Sequence, residues 1–142
     1  MKTNIRKCMS FFFLFQLFFG NYSLSFAEAP VKKNDFYTET SLNIVVTKNS
    51  PEFTLKLKSN PTTGFAWYLR EYSRNLIQPV KHSYQKSSGK LIGAPGYELW
   101  TFRVTPAGFL VPQNTALRMV YIRPWQGMDN SSQLVYRITM MK

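Results

Sequence analysis

The sequence predicts an all-β fold, an antiparallel sandwich of about seven strands. From residue 41 to residue 141, short segments rich in β-branched and aromatic residues alternate with turn signals about every 8 to 15 residues. No segment in this range has the 3.6-residue periodicity of an amphipathic helix. The only cysteine is Cys8, which precedes every predicted strand. The pattern therefore indicates an immunoglobulin-like sandwich that lacks a disulfide between its sheets.

Four strands are predicted in the first half of this region, over residues 42–47, 53–58, 65–69 and 75–86. The second alternates apolar and polar residues, which is typical of a strand with one buried face. The third is the most apolar, so we expect a central strand with Trp67 in the core. Pro79 cannot donate a ladder hydrogen bond, and the fourth strand is therefore predicted at a sheet edge.

Three strands are predicted in the second half, over residues 97–105, 117–122 and 134–140. In the first of them Trp100, Phe102 and Val104 fall on one face, because successive side chains of a strand point to opposite sides. The other two strands alternate in the same way. Each of the three is thus predicted to bury one face.

The segment before the strands is predicted to direct export. Residues 1–27 have a basic start, an apolar run over residues 9–19 and a small-x-small cleavage site, Ser25-Phe26-Ala27, as in a signal peptide. The run is shorter than the roughly 20 residues of a membrane span, so we expect no stable membrane insertion after cleavage. The alternative is an uncleaved anchor. The mature protein is expected to be periplasmic or extracellular, with a loose polar arm over residues 28–40 and a folded domain over residues 41–142.

The chain is strongly basic, with 18 Lys and Arg residues against 7 Asp and Glu residues. Three of the basic residues lie in the predicted signal peptide, which leaves a mature net charge of about +8. The others are scattered along the strands, which is typical of a solvated β surface. No recognisable nucleic-acid-binding motif is present, so nucleic acid is not an expected partner.

The sequence offers little for catalysis. His82 is the only histidine, and no cysteine follows the predicted signal peptide. A Ser-His-Asp or Cys-His site would have to include His82, which lies in a weakly patterned strand without distinctive neighbours. Seven dispersed carboxylates and one imidazole are also a poor ligand set for a metal. We therefore expect no catalytic residue, no metal and no cofactor.

Three of the predicted connections have unusual composition, and they share one end of the sandwich. If successive strands run antiparallel, the second, fourth and sixth connections emerge together. These connections are residues 60–64, 89–96 and 123–127. Together they predict a composite binding edge.

The first of these loops is predicted to be rigid. Pro61 fixes its own φ and restricts Asn60 to extended conformations, while Thr62 and Thr63 are stiff at χ1. Gly64 can adopt φ > 0 where the chain turns back. A rigid, uncharged loop suits binding rather than catalysis, because little entropy remains to be lost on docking.

The other two loops supply small residues and one large aromatic side chain. Gly93 and Gly96, around Ala94-Pro95, allow close approach of the backbone. Trp125 follows Pro124 and is either presented on a stiffened loop or folded back as a lid on the core. A guanidinium precedes them at Arg123 and could pair with an acidic rim on a partner.

Taken in order, Asn60-Pro61-Thr62-Thr63-Gly64-Phe65, Gly93-Ala94-Pro95-Gly96 and Arg123-Pro124-Trp125 resemble the motif set of the chagasin family of cysteine-protease inhibitors. The resemblance covers residues 41–141. It implies a monomeric immunoglobulin-like domain that inhibits papain-like, cathepsin-like proteases reversibly and competitively. The three loops would enter the active-site cleft as a wedge, with Thr62 and Thr63 over the catalytic cysteine. Pro95 departs from the small residue or glycine that is usual in the second loop.

A second hypothesis comes from a different functional class. An exported adhesion or carbohydrate-binding module of the same fold would use Trp125 as a stacking platform. It would require no protease. Inhibition of papain by the mature domain would discriminate between the two hypotheses.

Overall fold

The computed structural model describes residues 36–86, 94–128 and 131–142. The predicted signal peptide and the first part of the predicted arm lie outside these residues. Residues 87–93 also lie outside them, and these include residues 89–93 of the fourth connection, Gly93 among them.

The described residues form seven strands and two short 3₁₀ helices. The strands are β1 (Asn43–Thr47), β2 (Glu52–Ser59), β3 (Ala66–Tyr72), β4 (Ile77–Gln85), β5 (Gly96–Val104), β6 (Gln113–Ile122) and β7 (Ser132–Met141). The 3₁₀ helices span Pro61–Thr63 and Pro106–Phe109. All seven strands coincide with predicted ones, although β6 begins four residues earlier than residue 117, where its alternation was expected to start.

The strands form two sheets that pack into a sandwich. One sheet has the order β1-β7-β6-β3 and the other the order β2-β5-β4. β1 pairs with β7 in parallel, and the other pairings are antiparallel. The predicted all-β, immunoglobulin-like sandwich is thereby confirmed.

The sequence predicted the positions of β4 and β3 within their sheets, and only the position of β4 is confirmed. β4 lies at a sheet edge, and its register shifts between Pro79 and Lys81, as expected from a proline that cannot donate. β3 is also an edge strand, so its prediction as a central strand is wrong. Its apolar residues reflect packing across one face: Trp67 is buried and its ring lies 5.0 Å from that of Tyr121 in β6.

The core lies between the sheets and follows the period-2 pattern. In β2, four alternate residues are buried, three apolar ones and Ser59, and Trp67 of β3 is buried as predicted. The largest fully buried side chains come from both sheets: Tyr136, Phe102, Ile44, Leu55, Leu57, Ile77, Leu117, Met119, Ile138 and Met140. A core shared by both sheets stabilises the sandwich through apolar burial rather than through a cross-link.

The last five residues of the predicted arm are bound to the sandwich. Tyr37 donates its backbone N–H to the Thr54 carbonyl at 2.8 Å and accepts from the Lys56 N–H at 2.7 Å. The Tyr136 hydroxyl donates to the Thr38 carbonyl at 3.0 Å. The prediction of a loose arm is thus wrong for residues 36–40, because β2 is an edge strand whose free backbone groups pair with them.

Candidate functional site

The strand registers bring the three unusual connections to one end of the sandwich. Ser59, the last residue of β2, pairs with Gly96, the first residue of β5. Ala66, the first residue of β3, pairs with Ile122, the last residue of β6. We call the surface formed by residues 60–65, 94–96 and 123–127 the loop edge. The convergence predicted from the alternation of strand direction is therefore observed for the described parts of these loops.

The 60–65 loop is a single 3₁₀ turn held by its own hydrogen bonds. Asn60 has φ −130° and ψ 85°, and the turn Pro61–Thr63 ends at Gly64 with φ 80°. The Thr62 hydroxyl donates to the Asn60 side-chain carbonyl and the Thr63 hydroxyl to the Asn60 backbone carbonyl, both at 2.6 Å. Pro61, Thr62 and Thr63 are exposed, so the loop presents an uncharged, internally bonded tip to solvent. The predicted positive φ of Gly64 is confirmed.

Arg123 joins the 123–127 loop to the 60–65 loop. Its Nε donates to the Thr63 backbone carbonyl at 2.8 Å, and its guanidinium carbon lies 4.4 Å from the centre of the Phe65 ring. Another nitrogen of the same guanidinium, Nη1, donates to the Gln126 side-chain carbonyl at 3.4 Å, within the 123–127 loop. The guanidinium expected to face an acidic rim on a partner is instead engaged within the chain.

Phe65 lies beneath that guanidinium rather than at the tip. The ring is half-buried and stacks on Tyr121 with a centroid distance of 5.2 Å. The Tyr121 hydroxyl also accepts the backbone N–H of Asn60 at 3.1 Å. Both ends of the 60–65 loop are thus packed against the same β6 side chain.

Trp125 projects from the loop edge. Its residue surface is 71% exposed, which excludes the alternative of a lid on the core. Its six-membered ring passes over Gly64, where a Cβ atom would lie only 2.7 Å from Trp125 Cη2. Position 64 therefore requires glycine twice, for its backbone conformation and for the indole that lies against it. Pro124 is also exposed.

The described part of the 89–96 loop is closely packed at its end. Gly96 is buried, and a Cβ atom there would lie 2.5 Å from the Tyr84 hydroxyl and against the Gln85 carbonyl. Pro95 is exposed and Ala94 is half-buried. The close backbone approach predicted for the glycines is thus observed at Gly96.

A buried carboxylate lies beneath the loop edge, and the sequence reasoning missed it. Glu98 is 3% exposed. Its Oε1 accepts from the Ser59 hydroxyl at 2.6 Å and from the Trp67 backbone N–H at 3.1 Å. Counting by two along β5 places Glu98 on the same inward face as Trp100 and Phe102. That count was the signal that could have revealed it.

The prediction that His82 has no distinctive neighbours is wrong, because the imidazole contacts the second oxygen of this carboxylate. His82 Nε2 lies 3.0 Å from Glu98 Oε2, and the Trp100 Nε1–H donates to the same oxygen at 3.3 Å. The imidazole also stacks on the Trp100 ring with a centroid distance of 4.0 Å. His82 therefore has specific neighbours, and they give it a hydrogen-bonding role in the sandwich.

The described residues limit the chemistry that this end of the sandwich can perform. Among them, no three His, Cys, Asp or Glu side chains lie close enough together to hold a metal ion. The exposed tip of the 60–65 loop carries only proline and threonine side chains, which do not titrate near neutral pH. What the loop edge offers is a preformed shape. In the same part of the chain, no helix has the length and apolar character needed to cross a membrane.

Solved structures with this architecture include cysteine protease inhibitors. A cysteine protease inhibitor of Entamoeba histolytica, EhICP2, aligns with a TM-score of 0.53 and 19% identity, over 69% of this chain and 95% of that chain. Amebosin aligns with a TM-score of 0.55 and 18% identity, over 74% and 95%. PbICP-C, solved in complex with falcipain-2, aligns with a TM-score of 0.51 and 13% identity, over 75% and 88%. At these identities the similarity establishes the fold.

Sequence comparison identifies the family. Chagasin of Trypanosoma cruzi is 36% identical over 83 residues, which cover 56% of this chain and 71% of the relative. Residues 46–140 match the family described as Chagasin family peptidase inhibitor I42, and this range includes all three loops of the loop edge. The chain therefore belongs to the chagasin family of peptidase inhibitors.

Proposed function

We propose that this protein is a reversible, competitive inhibitor of papain-like cysteine proteases that inserts the loop edge into the active-site cleft. The observation that carries the proposal is the convergence, at one end of the sandwich, of the described parts of three loops. As a member of a peptidase inhibitor family, the chain is an inhibitor and not an enzyme. Its structural relatives include a cysteine protease inhibitor of Entamoeba histolytica and PbICP-C, which was solved in complex with falcipain-2.

The parts of the loop edge have separate roles in this proposal. The exposed Thr62 and Thr63 lie over the catalytic cysteine, and Asn60, Pro61 and Gly64 hold them in place. Residues 93–96 and the Arg123-Pro124-Trp125 segment contact the two walls of the cleft. Trp125 is the anchor, since a large exposed aromatic ring can bury more apolar area than any other side chain at this edge.

Physical properties of the loop edge favour binding without reaction. The turn already has its internal hydrogen bonds, so docking costs little conformational entropy. Its tip has no charge that the cleft would have to desolvate. The adhesion or carbohydrate-binding hypothesis uses Trp125 alone and leaves the other two loops without a role.

Papain and a fluorogenic peptide substrate provide the test. We expect the mature domain to inhibit with an apparent inhibition constant that rises linearly with substrate concentration, as competition requires, and activity to return on dilution. The domain should remain intact by mass spectrometry after overnight incubation. Trypsin is the control, because its nucleophile is a serine. Lack of papain inhibition at micromolar domain would reject the proposal.

We also propose that the protein is exported, with cleavage between Ala27 and Glu28. The support is the basic start, short apolar run and small-x-small site of residues 1–27. Expression of the full chain with its own N-terminus should yield a secreted or periplasmic product whose intact mass begins at Glu28. A full-length product in the membrane fraction would instead indicate an uncleaved anchor.

A further inference from the structure

We propose that Glu98 is a positioning residue for the loop edge, and that its carboxylate holds the two stems of the 60–65 loop at a fixed separation. Its Oε1 accepts hydrogen bonds from Ser59, which immediately precedes this loop, and from the backbone of Trp67, which follows it. The importance of this separation for inhibition rests on the proposed function. The positioning itself is a property of the free domain.

The two stems belong to different sheets. Ser59 ends β2, in the three-stranded sheet, and Trp67 lies in β3, at the edge of the four-stranded sheet. No backbone ladder joins β2 to β3, so the distance between the stems must be set by other contacts. Glu98 reaches them from β5, which is paired with β2.

Two further hydrogen bonds cross between the sheets near this point. The Trp67 indole N–H donates to the Lys58 carbonyl at 3.0 Å, and the Asn60 N–H donates to the Tyr121 hydroxyl at 3.1 Å. The first of these bonds joins the two stems directly, and the second joins one stem to β6. Glu98 adds a separate link, in which a single oxygen atom, reached from β5, accepts from both stems at once.

Burying the Glu98 carboxylate at this place is costly, and both of its oxygens accept hydrogen bonds. A carboxylate that is 3% exposed loses its hydration, which destabilises the fold unless hydrogen bonds replace the lost water. An ionised carboxylate has only acceptors, so it can accept from all four surrounding donors. An apolar residue would suit the same inward face beside Phe102 for stability alone. The carboxylate is explained by the stems that it holds.

The two oxygens of Glu98 have different partners, so the role of each can be tested separately. Oε1 contacts the stems of the 60–65 loop, whereas Oε2 contacts His82 and the Trp100 indole. His82 lies on β4, at the far edge of the three-stranded sheet, and its ring is stacked on Trp100. Removing the Ser59 hydroxyl and removing the His82 donor thus perturb the same carboxylate, but only the first change releases a loop stem.

The test compares four variants of the mature domain: Glu98→Ala, Glu98→Gln, Ser59→Ala and His82→Phe. Phenylalanine keeps the stack on Trp100 while removing the nitrogen that contacts Oε2. Papain inhibition, melting temperature and backbone amide relaxation of Thr62 and Thr63 are measured for each. Relaxation of the free domain is the measurement that a purely structural role would leave unchanged.

Ser59→Ala and Glu98→Ala should weaken papain inhibition by about tenfold or more, because each removes a hydrogen bond to a charged group that holds a stem. The amides of Thr62 and Thr63 should become more mobile in both. His82→Phe should lower the melting temperature and leave inhibition and these amides unchanged. Glu98→Gln should stay within about threefold of the wild-type inhibition, since its remaining oxygen can accept from both stems. Its NH₂ group would face His82, which can accept, and the Trp100 indole N–H, which cannot, so the melting temperature should fall.

Several outcomes would overturn the proposal. One is a folded Ser59→Ala or Glu98→Ala variant with unchanged inhibition and rigid Thr62 and Thr63 amides. Another is a His82→Phe variant that weakens inhibition as much as Ser59→Ala does, which would indicate a general structural role. If Glu98→Ala does not fold, Ser59→Ala and Glu98→Gln decide the question. Absence of inhibition by the wild type would reject the proposed function, whereas the relaxation data on the free domain would still test the positioning role.

Discussion

Arg123 Nε donates a hydrogen bond to the backbone carbonyl of Thr63 at 2.8 Å, and the two residues are 60 positions apart in the sequence. The same guanidinium covers the Phe65 ring. One side chain thus joins the 123–127 loop to the tip of the 60–65 loop by a charge-assisted hydrogen bond and a cation–π contact. These two loops of the loop edge are consequently connected rather than independent.

Arg123→Ala should release the 60–65 loop. We expect inhibition of papain to weaken by about 1 to 2 kcal/mol, mainly through faster dissociation, because the tip must be ordered again on binding. Arg123→Lys should recover only part of this, since an ammonium group lacks the planar surface that stacks on Phe65. Stopped-flow rates at two salt concentrations provide the measurement. An effect confined to association, and largest at low ionic strength, would instead indicate that Arg123 faces an acidic rim on the protease.

Trp125→Ala should separate binding from folding. Because the residue is 71% exposed, its removal creates no core cavity, and the melting temperature should hardly change. Inhibition should weaken by about 2 kcal/mol or more, on the order of 30-fold. Tyr68→Ala is the control, since Tyr68 is an exposed aromatic residue within β3. A strongly destabilised Trp125→Ala variant with intact affinity would contradict the anchor role.

Gly64→Ala tests the contact between the turn and the indole, and the chain offers a matched control. Gly64 and Gly127 both have positive φ, at 80° and 69°, so alanine at either should cost about 1 kcal/mol of backbone strain. Only the methyl group at position 64 would collide with Trp125, while nothing lies within 4 Å of the equivalent position at Gly127. We therefore expect Gly64→Ala to lower the melting temperature and the affinity more than Gly127→Ala.

The double variant Gly64→Ala/Trp125→Ala completes this test. Removing the indole should relieve the collision, so its melting temperature should return to that of Gly127→Ala. A double variant as unstable as Gly64→Ala alone would show that backbone strain, and not the indole, makes glycine necessary.

Tyr136→Phe should change the response of the fold to alkaline pH. Burial raises the pKa of the Tyr136 hydroxyl well above its ordinary value, and the nearby Glu39 carboxylate adds to this shift. Below about pH 10 the hydroxyl keeps its proton in both the folded and the unfolded chain, and its bond to Thr38 should make the wild type about 1 kcal/mol more stable. Above that pH the unfolded chain loses the proton first. The advantage should then fall by about 1.4 kcal/mol per pH unit.

Urea unfolding of the wild type and of Tyr136→Phe at pH 8, 10 and 11 provides the measurement. Taking the difference between the two proteins cancels the ionisation of the other tyrosines. An advantage that stays constant across this range would mean that Tyr136 ionises as readily in the folded chain as in the unfolded one.

Much of the fold could be predicted because period-2 alternation is a local property of the sequence. It located every strand, and Pro79 correctly indicated an edge. Local pattern could not place β3 correctly, because the apolar residues around Trp67 look the same whether they serve a central strand or one face of an edge strand. Nor could it show that residues 36–40 bind β2, since that pairing compensates for a distant edge and has no periodicity of its own.

The site was predictable to the extent that its residues carry backbone constraints. Positive φ at Gly64, close packing at Gly96 and the convergence of the loops all followed from glycine, proline and strand direction. Roles that depend on contacts distant in sequence did not follow. Arg123 was expected to face outward and is bound to Thr63, and Glu98 was missed because its partners come from three other strands.

The direction of β7 determines how this protein can be attached to anything else. β7 starts at Ser132, paired with Tyr121 beside the loop edge, and runs away from it to Met141 at the opposite end of the sandwich. A bead, a fluorophore or a second folded domain joined at Lys142 is therefore separated from Thr62 by the full length of a strand. Linkage at Lys142 should leave every loop of the edge accessible, so such fusions can be used to capture proteases from solution.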